Sequence, residues 1–382
     1  MSSMEPVPLT VMHRYPHGES VYDAIWLTSG TLQAIAVIPA KRIADRFLTS
    51  SRDHPIQLFD LSLPTCVSTF CSSTPYDDIA APLCLSMAPG GRDLYCGHEN
   101  LVRVFDVTRP GRDFLSMPTT PSRGSRDGLK GIISAIAFSP SGAIFAAGSF
   151  SKCIGIYASE HDEVSQPLAI FGAHVGGVTH LAFLDEHTLI SGGRRDNHLC
   201  LWDIRDTQAP IAFLPRACAN NQRLLFDIAT NMIASVRSTV QTGGQFAEGQ
   251  SETNTQAESA ANTQTQAATS QGDLAAHGEV ATQTQDQFAH TMQAGIVFAG
   301  DHDGVLRAYG GRDGSPLAAF KAHGDPVTAA SAHPTLPLLA TCSGTRRVGS
   351  VGYDSDSEEE EEKVVGDSSV RVWRWAGQWR YS

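Results

Sequence analysis

The sequence predicts an all-β protein in which short antiparallel sheets repeat around a ring. Residues 172–205 contain one complete unit: an alternating apolar run, a turn, a second apolar strand, a tight Arg-Asp-Asn turn and a third strand that ends in Trp202. Here and at five other places a polar residue, usually acidic, stands six positions before an aromatic residue, with a short apolar strand between them. The pairs are Asp53 with Phe59, Glu99 with Phe105, Ser151 with Tyr157, Asp196 with Trp202, Asp303 with Tyr309 and Asp367 with Trp373. Since one small sheet cannot bury both of its faces alone, this repetition predicts a β-propeller with six recognisable blades.

The blades follow one another along residues 20–375, the predicted extent of the propeller. Blade one starts at Val21, and blades two to four occupy residues 82–106, 132–157 and 172–205. Blade five starts at 222–228 and resumes at 295–309, and blade six starts near Val327 and resumes at 368–375. We predict that the acidic residue of each pair caps a turn and that the aromatic residue anchors the strand. Residues 1–19 form an N-terminal segment and residues 376–382 a C-terminal tail.

The last blade needs an outer strand to close the ring, because an open sheet edge would remain otherwise. The sequence offers two sources, Leu9–Tyr15 and the C-terminal residues 377–382. Six blades are readable, and seven are possible only if the N-terminus is incomplete.

Two insertions interrupt blades five and six. Residues 237–293 are rich in Gln, Thr, Ser, Ala and Gly, and such a composition predicts a disordered loop. Residues 346–366 contain the acidic run DSDSEEEEE, which repels itself and is predicted to stay extended. Ser355 and Ser357 in this run are candidate phosphorylation sites, and an inert solvated loop is the alternative.

Composition limits the cellular setting and the partners. The formal net charge is −12, but two segments without Lys or Arg, Gln241–His290 and Asp354–Glu362, hold 13 of the 40 acidic residues. The rest of the chain is close to neutral, which leaves a nucleic-acid partner open. No apolar run reaches the ~20 residues of a membrane span, and no secretory signal is visible, so we expect no membrane partner. The eight cysteines are scattered without a C-x-x-C pair, as is typical of free thiols in a reducing compartment.

No catalytic constellation is recognisable, and we predict a binding protein that is not an enzyme. There is no phosphate-binding Gly-rich loop, nucleophile elbow or HExxH sequence. Asp301, His302 and Asp303 resemble metal ligands, but they stand in a hairpin turn where acidic residues are expected. The prediction is therefore no metal, no cofactor and no small-molecule substrate.

One rim of the predicted propeller is basic. With the strands of a blade named a to d from the centre outwards, the b–c and d–a connections share one face and the a–b and c–d connections share the other. Eleven cations fall on the first face: Arg52, Arg123, Arg126, Lys130, Lys152, Arg194, Arg195, Arg216, Arg223, Arg346 and Arg347. Such a rim fits RNA, because Arg binds phosphates and stacks on unpaired bases, whereas ordinary salt-bridged surface residues are the alternative. The RNA-binding candidates are Arg52, Arg123, Arg126, Lys130, Lys152, Arg194, Arg195, Gln222 and Arg223.

The repeat resembles the WD repeat, most fully in blade four. In that family four side chains of a blade form a buried chain of hydrogen bonds, which makes their burial tolerable. The resemblance implies such a tetrad at His174, Ser191, Asp196 and Trp202.

Several less general motifs resemble one family of WD-repeat proteins, the telomerase Cajal body proteins. The matching stretches are GESVYDAIW, SSRDHPIQLFD, LYCGHENLVRVFDVTRPGRDF, GIISAIAFSP, GAHVGGVTHLAF, NNQRLLFDI and HPTLPLLATCSG, which follow the family's order from residue 18 to residue 344. The chain departs from the family in the blade that precedes YDAIW, of which only a last strand is recognisable, and in the Gln/Thr-rich loop.

The resemblance implies an RNA-binding adaptor of small nuclear ribonucleoproteins. Relatives recognise a short box in box H/ACA small Cajal body RNAs, and in animal telomerase RNA, and direct these particles to the Cajal body. The implied partners are small nuclear or Cajal body RNA, ribonucleoprotein proteins and the telomerase particle, and the implied location is the nucleus, with the cytoplasm as a further one.

Two other functions remain open at the level of sequence. Trp202-Asp203-Ile204-Arg205 resembles the WD-x-R motif of ubiquitin-ligase substrate receptors, so the chain could be a protein scaffold. A factor associated with spliceosomal small nuclear ribonucleoproteins is the other alternative.

Overall fold

The protein is a ring of six four-stranded antiparallel sheets. The computed structural model describes residues 6–7, 15, 17, 19–27, 46–63, 65–74, 76–122, 125, 127–159, 166–218, 220–229, 295–333, 338–344, 367 and 369–374. Each sheet has the order a-b-c-d, and each forms one blade. The predicted all-β, six-bladed propeller is confirmed.

The strands are numbered from β1 to β24 in chain order. The first strand, β1, covers Pro6–Val7. Blade one contains β2 to β5, at Val21–Trp26, Arg46–Ser51, Ile56–Asp60 and Cys66–Phe70. Blade two contains β6 to β9, at Cys84–Met87, Asp93–His98, Leu101–Asp106 and Leu115–Pro118. Blade three contains β10 to β13, at Ile133–Phe138, Ile144–Ser149, Ile154–Ala158 and Ala169–Phe171.

The remaining blades complete the ring. Blade four contains β14 to β17, at Val178–Phe183, Thr188–Gly193, His198–Asp203 and Ala212–Pro215. Blade five contains β18 to β21, at Phe226–Ala229, Ile296–Gly300, Val305–Gly310 and Pro316–Lys321. Blade six contains β22 to β24, at Val327–Ala332, Leu338–Ser343 and Val370–Arg374, with β1 as its outer strand.

Apolar side chains between neighbouring blades form the core. Blades two and three meet where the Tyr95 ring of blade two packs edge-to-face against the Phe145 ring of blade three, with centroids 5.2 Å apart. Blades three and four meet through Phe171 and Trp202, whose centroids are 4.7 Å apart. Each sheet thus buries its faces against the next, as the repeated apolar strands require.

The N-terminal strand β1 closes the ring, but not with the predicted residues. Pro6 pairs with Trp373 and Val7 with Val372. Residues 8–14 of the predicted closing strand lie outside the described residues, and Tyr15 at its end is not in a strand. The Tyr15 ring instead packs against Phe47, at 5.2 Å between centroids, because a large aromatic side chain gains more from burial there than on a sheet edge. A proline is acceptable in β1 since an outer strand leaves some N–H positions unused.

The b–c turns of five blades share a left-handed residue. The φ angles are +56° at Asp53, +58° at Asn100, +75° at Lys152, +57° at Arg195 and +74° at Gly304. Asn and Asp adopt this conformation more readily than other non-glycine residues. At Lys152 and Arg195 the turn therefore carries a backbone cost while it presents a cation on the b–c face.

The two insertions are attached to opposite faces of the ring. Residues 230–294 join β18 to β19 as an a–b connection, whereas residues 345–366 join β23 to β24 as a b–c connection. Both predicted loops, at 237–293 and 346–366, lie outside the described residues. Within the part of the chain that the structure describes, no helix could span a membrane.

Candidate functional site

The four side chains named in blade four form one buried chain of hydrogen bonds. His174 Nδ1 lies 2.7 Å from Asp196 Oδ2, and His174 Nε2 lies 2.7 Å from Ser191 Oγ. Trp202 Nε1 donates to Ser191 Oγ over 2.8 Å. Since the indole can only donate, the partners assign a direction: Trp202 to Ser191, Ser191 to His174, and Nδ1–H of His174 to Asp196. The tetrad is thus satisfied with a neutral imidazole.

The carboxylate of Asp196 also binds the segment that leads into the first strand of the blade. Its Oδ1 accepts a hydrogen bond from the backbone N–H of Val175 over 2.8 Å. Burial raises the pKa of Asp196, but the bonds from His174 and Val175 outweigh it, so the pKa lies below its ordinary value. Asp196 therefore remains ionised and links the d–a connection to the b–c turn.

Blade six contains a second tetrad that the sequence analysis did not identify. His323 Nε2 lies 2.7 Å from Thr341 Oγ1, and Trp373 Nε1 donates to the same oxygen over 2.8 Å. His323 Nδ1 lies 3.4 Å from Asp367 Oδ2, which also accepts the backbone N–H of Gly324. The sequence carried a signal, because Ala322-His323 repeats Ala173-His174 of blade four.

The predicted acidic cap holds in those two blades but is wrong in blades one and five. The Asp53 side chain is exposed and pairs with Arg52 at 3.3 Å. In blade five the buried residue is Asp301 rather than Asp303, since Asp301 accepts the backbone N–H groups of Asp303 and Val305. The Asp301 carboxylate also accepts Arg307 Nε over 3.1 Å, so its hydrogen bonds are those of a turn. No group of His, Cys, Asp or Glu that could hold a metal is present in the described ranges.

Three of the predicted RNA-binding residues lie on adjacent turns of blades three and four. The Arg194 guanidinium lies over the Phe150 ring, 4.1 Å from its centroid. Phe150 follows β11 and stands in the same b–c turn as Lys152, so the turns of the two blades pack together. Lys152 and Arg195 are exposed and Arg194 is partly buried. Phe150 was missed because this cation–π contact between blades has no local sequence signal.

Lys130 adjoins this group through its backbone. Its carbonyl oxygen accepts the hydroxyl of Ser149, the last residue of β11, and its side chain is exposed. We name Lys130, Lys152, Arg194 and Arg195 the cationic surface. None of the four has a carboxylate partner among the described residues, whereas four arginines on the opposite face do. Those pairs are Arg92 with Asp106, Arg109 with Asp106 and Asp113, Arg112 with Asp77, and Arg205 with Asp203.

Gln222 and Arg223 are directed to the centre of the ring. Arg223 Nε donates to the carbonyl of Thr179 in β14, and its Nη1 donates to the carbonyl of Tyr22 in β2, both over 3.1 Å. Gln222 Nε2 donates to the carbonyl of Gly344, directly after β23 of blade six, over 2.6 Å. Arg223 thus joins blade four to blade one on the other side of the ring, and Gln222 joins the start of blade five to blade six, so both side chains hold the ring together.

Arg223 also acts electrostatically on its neighbours. Burial raises the pKa of Asp23, and the charge of Arg223, whose Nη1 lies 3.7 Å from Asp23 Oδ1, partly offsets this rise. Burial lowers the pKa of Arg194, and the charge of Arg223 lowers it further. Arg194 is thus the member of the cationic surface that is electrostatically coupled to Arg223.

The predicted rim of eleven exposed cations needs correction. Arg216 is 1% exposed, and its guanidinium donates to the carbonyls of Leu224 and Gly193. Arg52 is exposed on the b–c turn of blade one, where Asp53 partners it. The positions outside the described residues are Arg123, Arg126, Arg346, Arg347, Ser355 and Ser357.

The WD-x-R sequence lies on the other face of the propeller. Arg205 follows β16 in a c–d connection, and its Nη2 lies 2.6 Å from Asp203 Oδ2 of the same motif. This ion pair lowers the pKa of Asp203 to about 2. All eight cysteines are unpaired, and four of them, Cys84, Cys96, Cys200 and Cys218, are buried.

Comparison with known proteins identifies the repeats in this chain and its relatives. The family described as "WD domain, G-beta repeat" matches residues 123–157, 165–203 and 314–374. Telomerase Cajal body protein 1 of Bos taurus is 31% identical over 361 residues, which cover 94% of this chain and 54% of that protein. The Homo sapiens protein of the same name is 31% identical, over 91% of this chain and 51% of its own length. A homolog from Drosophila melanogaster is 26% identical over 58% of this chain and 39% of that protein.

Solved structures support the fold independently. A chain titled "Structure of U3-55K" superposes with a TM-score of 0.54 at 13% identity, over 86% of this chain and 76% of that one. A chain of the "Crystal Structure of Mitotic Checkpoint Complex" gives 0.53 at 12% identity, over 98% and 86%. At these identities the likeness concerns the fold alone. The chain spans about half the length of the curated relatives it matches. With two complete tetrads, matched WD repeats and this extended identity, the chain is a WD-repeat protein whose curated relatives, about 31% identical over most of the chain, are named telomerase Cajal body protein 1.

Proposed function

We propose that this protein is a non-enzymatic, RNA-binding adaptor of small nuclear ribonucleoproteins in the nucleus. The observation that carries the proposal is the cationic surface, whose four cations lack carboxylate partners in the described structure. On the opposite face Arg92, Arg109, Arg112 and Arg205 are each in an ion pair, whereas Arg312 in the c–d connection of blade five has no carboxylate partner among the described residues. Unpaired cations on adjacent turns are suited to successive phosphates of one strand.

Arg194 adds a means of contact with an unpaired base. A guanidinium already held over an aromatic ring is ordered before any ligand arrives, which lowers the entropic cost of stacking on it. Lys152 and Arg195 stand on turns fixed in left-handed conformations, so their positions are also defined in advance. The relatives' name supports a Cajal body RNA, and telomerase RNA among the candidates, as the ligand.

The first experiment is crosslinking of the tagged protein in its own cells, followed by sequencing of the bound RNA. We expect small RNAs that share a loop motif. Recovery of a cullin adaptor with no RNA would replace the proposal by the protein-scaffold function.

The site is tested with the variant Arg194→Gln/Arg195→Asn and the RNA recovered in that experiment. Asn tolerates the positive φ at position 195, so the fold should persist. We expect at least about tenfold weaker binding, since a stacked base and a charged contact are each worth about 1–3 kcal/mol. The slope of log affinity against log salt should become shallower by about 0.7, the value for one phosphate contact of a single strand, because Arg195 makes the charged contact while Arg194 stacks on a base.

The matched control removes two exposed cations from the opposite face. Arg109→Gln/Arg112→Gln changes the net charge equally, and both residues are in ion pairs. Equal losses of affinity in the two variants would mean that only net charge matters, and the site would then be elsewhere.

A further inference from the structure

A groove opens between the outer parts of blades two and three. It has two lobes, with volumes of about 530 and 700 Å³. Pro118, Thr120, Pro121 and Lys130 line both lobes, so the groove is continuous and runs from the b–c turn of blade two to the outer strand of blade three. Each lobe has the volume of a small-ligand pocket, and the two together form a groove longer than one such pocket.

The larger lobe has an apolar wall that is open to solvent. Leu168 is 66% exposed and Ile170 is 40% exposed, and both line the lobe opposite Pro118 and Pro121. Strand β13, which contains Ile170, is the outermost strand of its sheet and has one edge without a neighbouring strand. Large aliphatic side chains beside a free strand edge are a common setting for extended peptides.

The charged residues of the groove favour a peptide over a nucleic acid as its ligand. Glu99 lines the smaller lobe and Asp127 the larger one, and these carboxylates would repel a phosphate backbone. None of the described lining residues is aromatic, so unpaired bases have no ring on which to stack. Lys130 lies at the junction of the lobes and has no carboxylate partner within the described ranges, so it complements a single acidic side chain.

We propose that this groove binds an extended peptide of a protein partner. Apolar side chains of the peptide, at alternate positions, pack against Leu168 and Ile170, and one Asp or Glu of the peptide pairs with Lys130. The site shares Lys130 with the cationic surface but does not include Phe150, Arg194 or Arg195, and the proposal does not depend on RNA binding.

The test is selection of phage-displayed dodecapeptides on the full chain, followed by affinity measurements with the enriched peptides as synthetic probes. We expect enrichment of alternating apolar residues next to an acidic one. The variant Leu168→Asp/Ile170→Asp should bind these peptides at least about tenfold more weakly, since burial of one large aliphatic side chain is worth about that factor or more.

Blade four offers a matched control on its own outer strand. Ile211 and Phe213 occupy the equivalent positions, and they are 53% and 52% exposed. Ile211→Asp/Phe213→Asp should leave peptide affinity within about twofold of the original. Lys130→Glu should reverse the preference, so that peptides with Lys in place of their acidic residue bind more tightly. The RNA-binding variant Arg194→Gln/Arg195→Asn should keep peptide affinity, which separates the two proposals.

The proposal is overturned by either of two results. One is the absence of any enriched peptide motif on a correctly folded chain. The other is enrichment of peptides that bind the Leu168→Asp/Ile170→Asp variant as tightly as the original protein, which would place the binding surface elsewhere.

Discussion

At Asp196, one buried carboxylate receives hydrogen bonds from an imidazole, His174, and from a backbone amide, Val175. If the carboxylate is removed, both donors stay buried without a partner, and each costs about 1–3 kcal/mol. The exposed Asp53 stands in the same sequence relation to Phe59 but makes no such contact. Identical spacing therefore has very different energetic consequences in different blades.

We predict that Asp196→Ala lowers the free energy of unfolding by about 2–4 kcal/mol. Asp53→Asn, as the control, keeps a residue that tolerates the positive φ and should change it by no more than about 0.5 kcal/mol. Urea unfolding followed by tryptophan fluorescence measures both. A loss for Asp53→Asn as large as that for Asp196→Ala would contradict the buried role of Asp196.

The histidine of blade two predicts a specific pH dependence. His98 is buried and its Nε2 lies 3.2 Å from Ser72 Oγ. Burial, and then the charge of Arg103, lower the pKa of His98 to about 3. Between about pH 6.5 and pH 3 the unfolded chain therefore binds a proton at this residue that the folded protein does not, so stability falls as the pH falls.

The expected slope from His98 is up to about 1.4 kcal/mol per pH unit below its unfolded pKa. His98→Gln retains an acceptor for Ser72 and removes the titration. The free energy of unfolding of the original protein should therefore approach that of His98→Gln steadily from pH 7 to pH 5 in urea unfolding experiments. Parallel curves over this range would show that His98 does not titrate in this way.

At the residue scale, the sequence was informative where a role depends on local spacing. His174, Ser191, Asp196 and Trp202 follow the repeat, and their hydrogen bonds are those that the resemblance implied. The exposure of Arg216 was predicted wrongly, because a place in a d–a connection does not show whether a side chain points outwards. The Arg194–Phe150 stack brings together two blades, and no spacing within one blade reveals it.

At the scale of elements, the central strands were predictable and the outer ones were not. The a, b and c strands carry dense apolar alternation, whereas outer strands such as Ala169–Phe171 are short and half-exposed, and leave little pattern. The closing strand was placed several residues too late in the sequence, because Leu9–Tyr15 has the stronger apolar alternation and β1 contains only two paired residues.

Ring closure by β1 leads to a truncation experiment. Deletion of residues 1–8 removes the partners of Val372 and Trp373 and opens the edge of β24, whereas deletion of residues 1–4 keeps them. We expect the longer deletion to lower the urea midpoint and to promote association, which size-exclusion chromatography detects. Equal behaviour of the two truncated proteins would show that the pairing contributes no stability.

At the scale of the whole molecule, Arg223 links blades that are far apart in the chain. Its guanidinium contacts blade four and blade one, and Asp23 beside it accepts the backbone N–H of Leu85 in blade two over 2.9 Å. These contacts of Arg223 across the channel could not be predicted from sequence, because the residues that it contacts are as many as 201 positions away in the chain.

Arg223→Met keeps much of the apolar length of the side chain and removes the hydrogen bonds and the charge. We predict a loss of about 2–4 kcal/mol, since two carbonyls and the Asp23 carboxylate lose their partner. Arg195→Asn, an exposed change of equal charge, should cost less than about 0.5 kcal/mol. Similar urea midpoints for these two variants would exclude a bracing role for Arg223.

The closing pair of strands also has a consequence for synthesis on the ribosome. Val7 is synthesised well before its partner Val372, which lies at the far end of the propeller sequence. At about 5–20 residues per second, β1 waits roughly 20–70 s for its partner, while the five preceding blades are already able to fold. Blade six is therefore the last to assemble, and an incomplete nascent chain displays the unclosed edges of the first and last blades to the folding machinery of the cell.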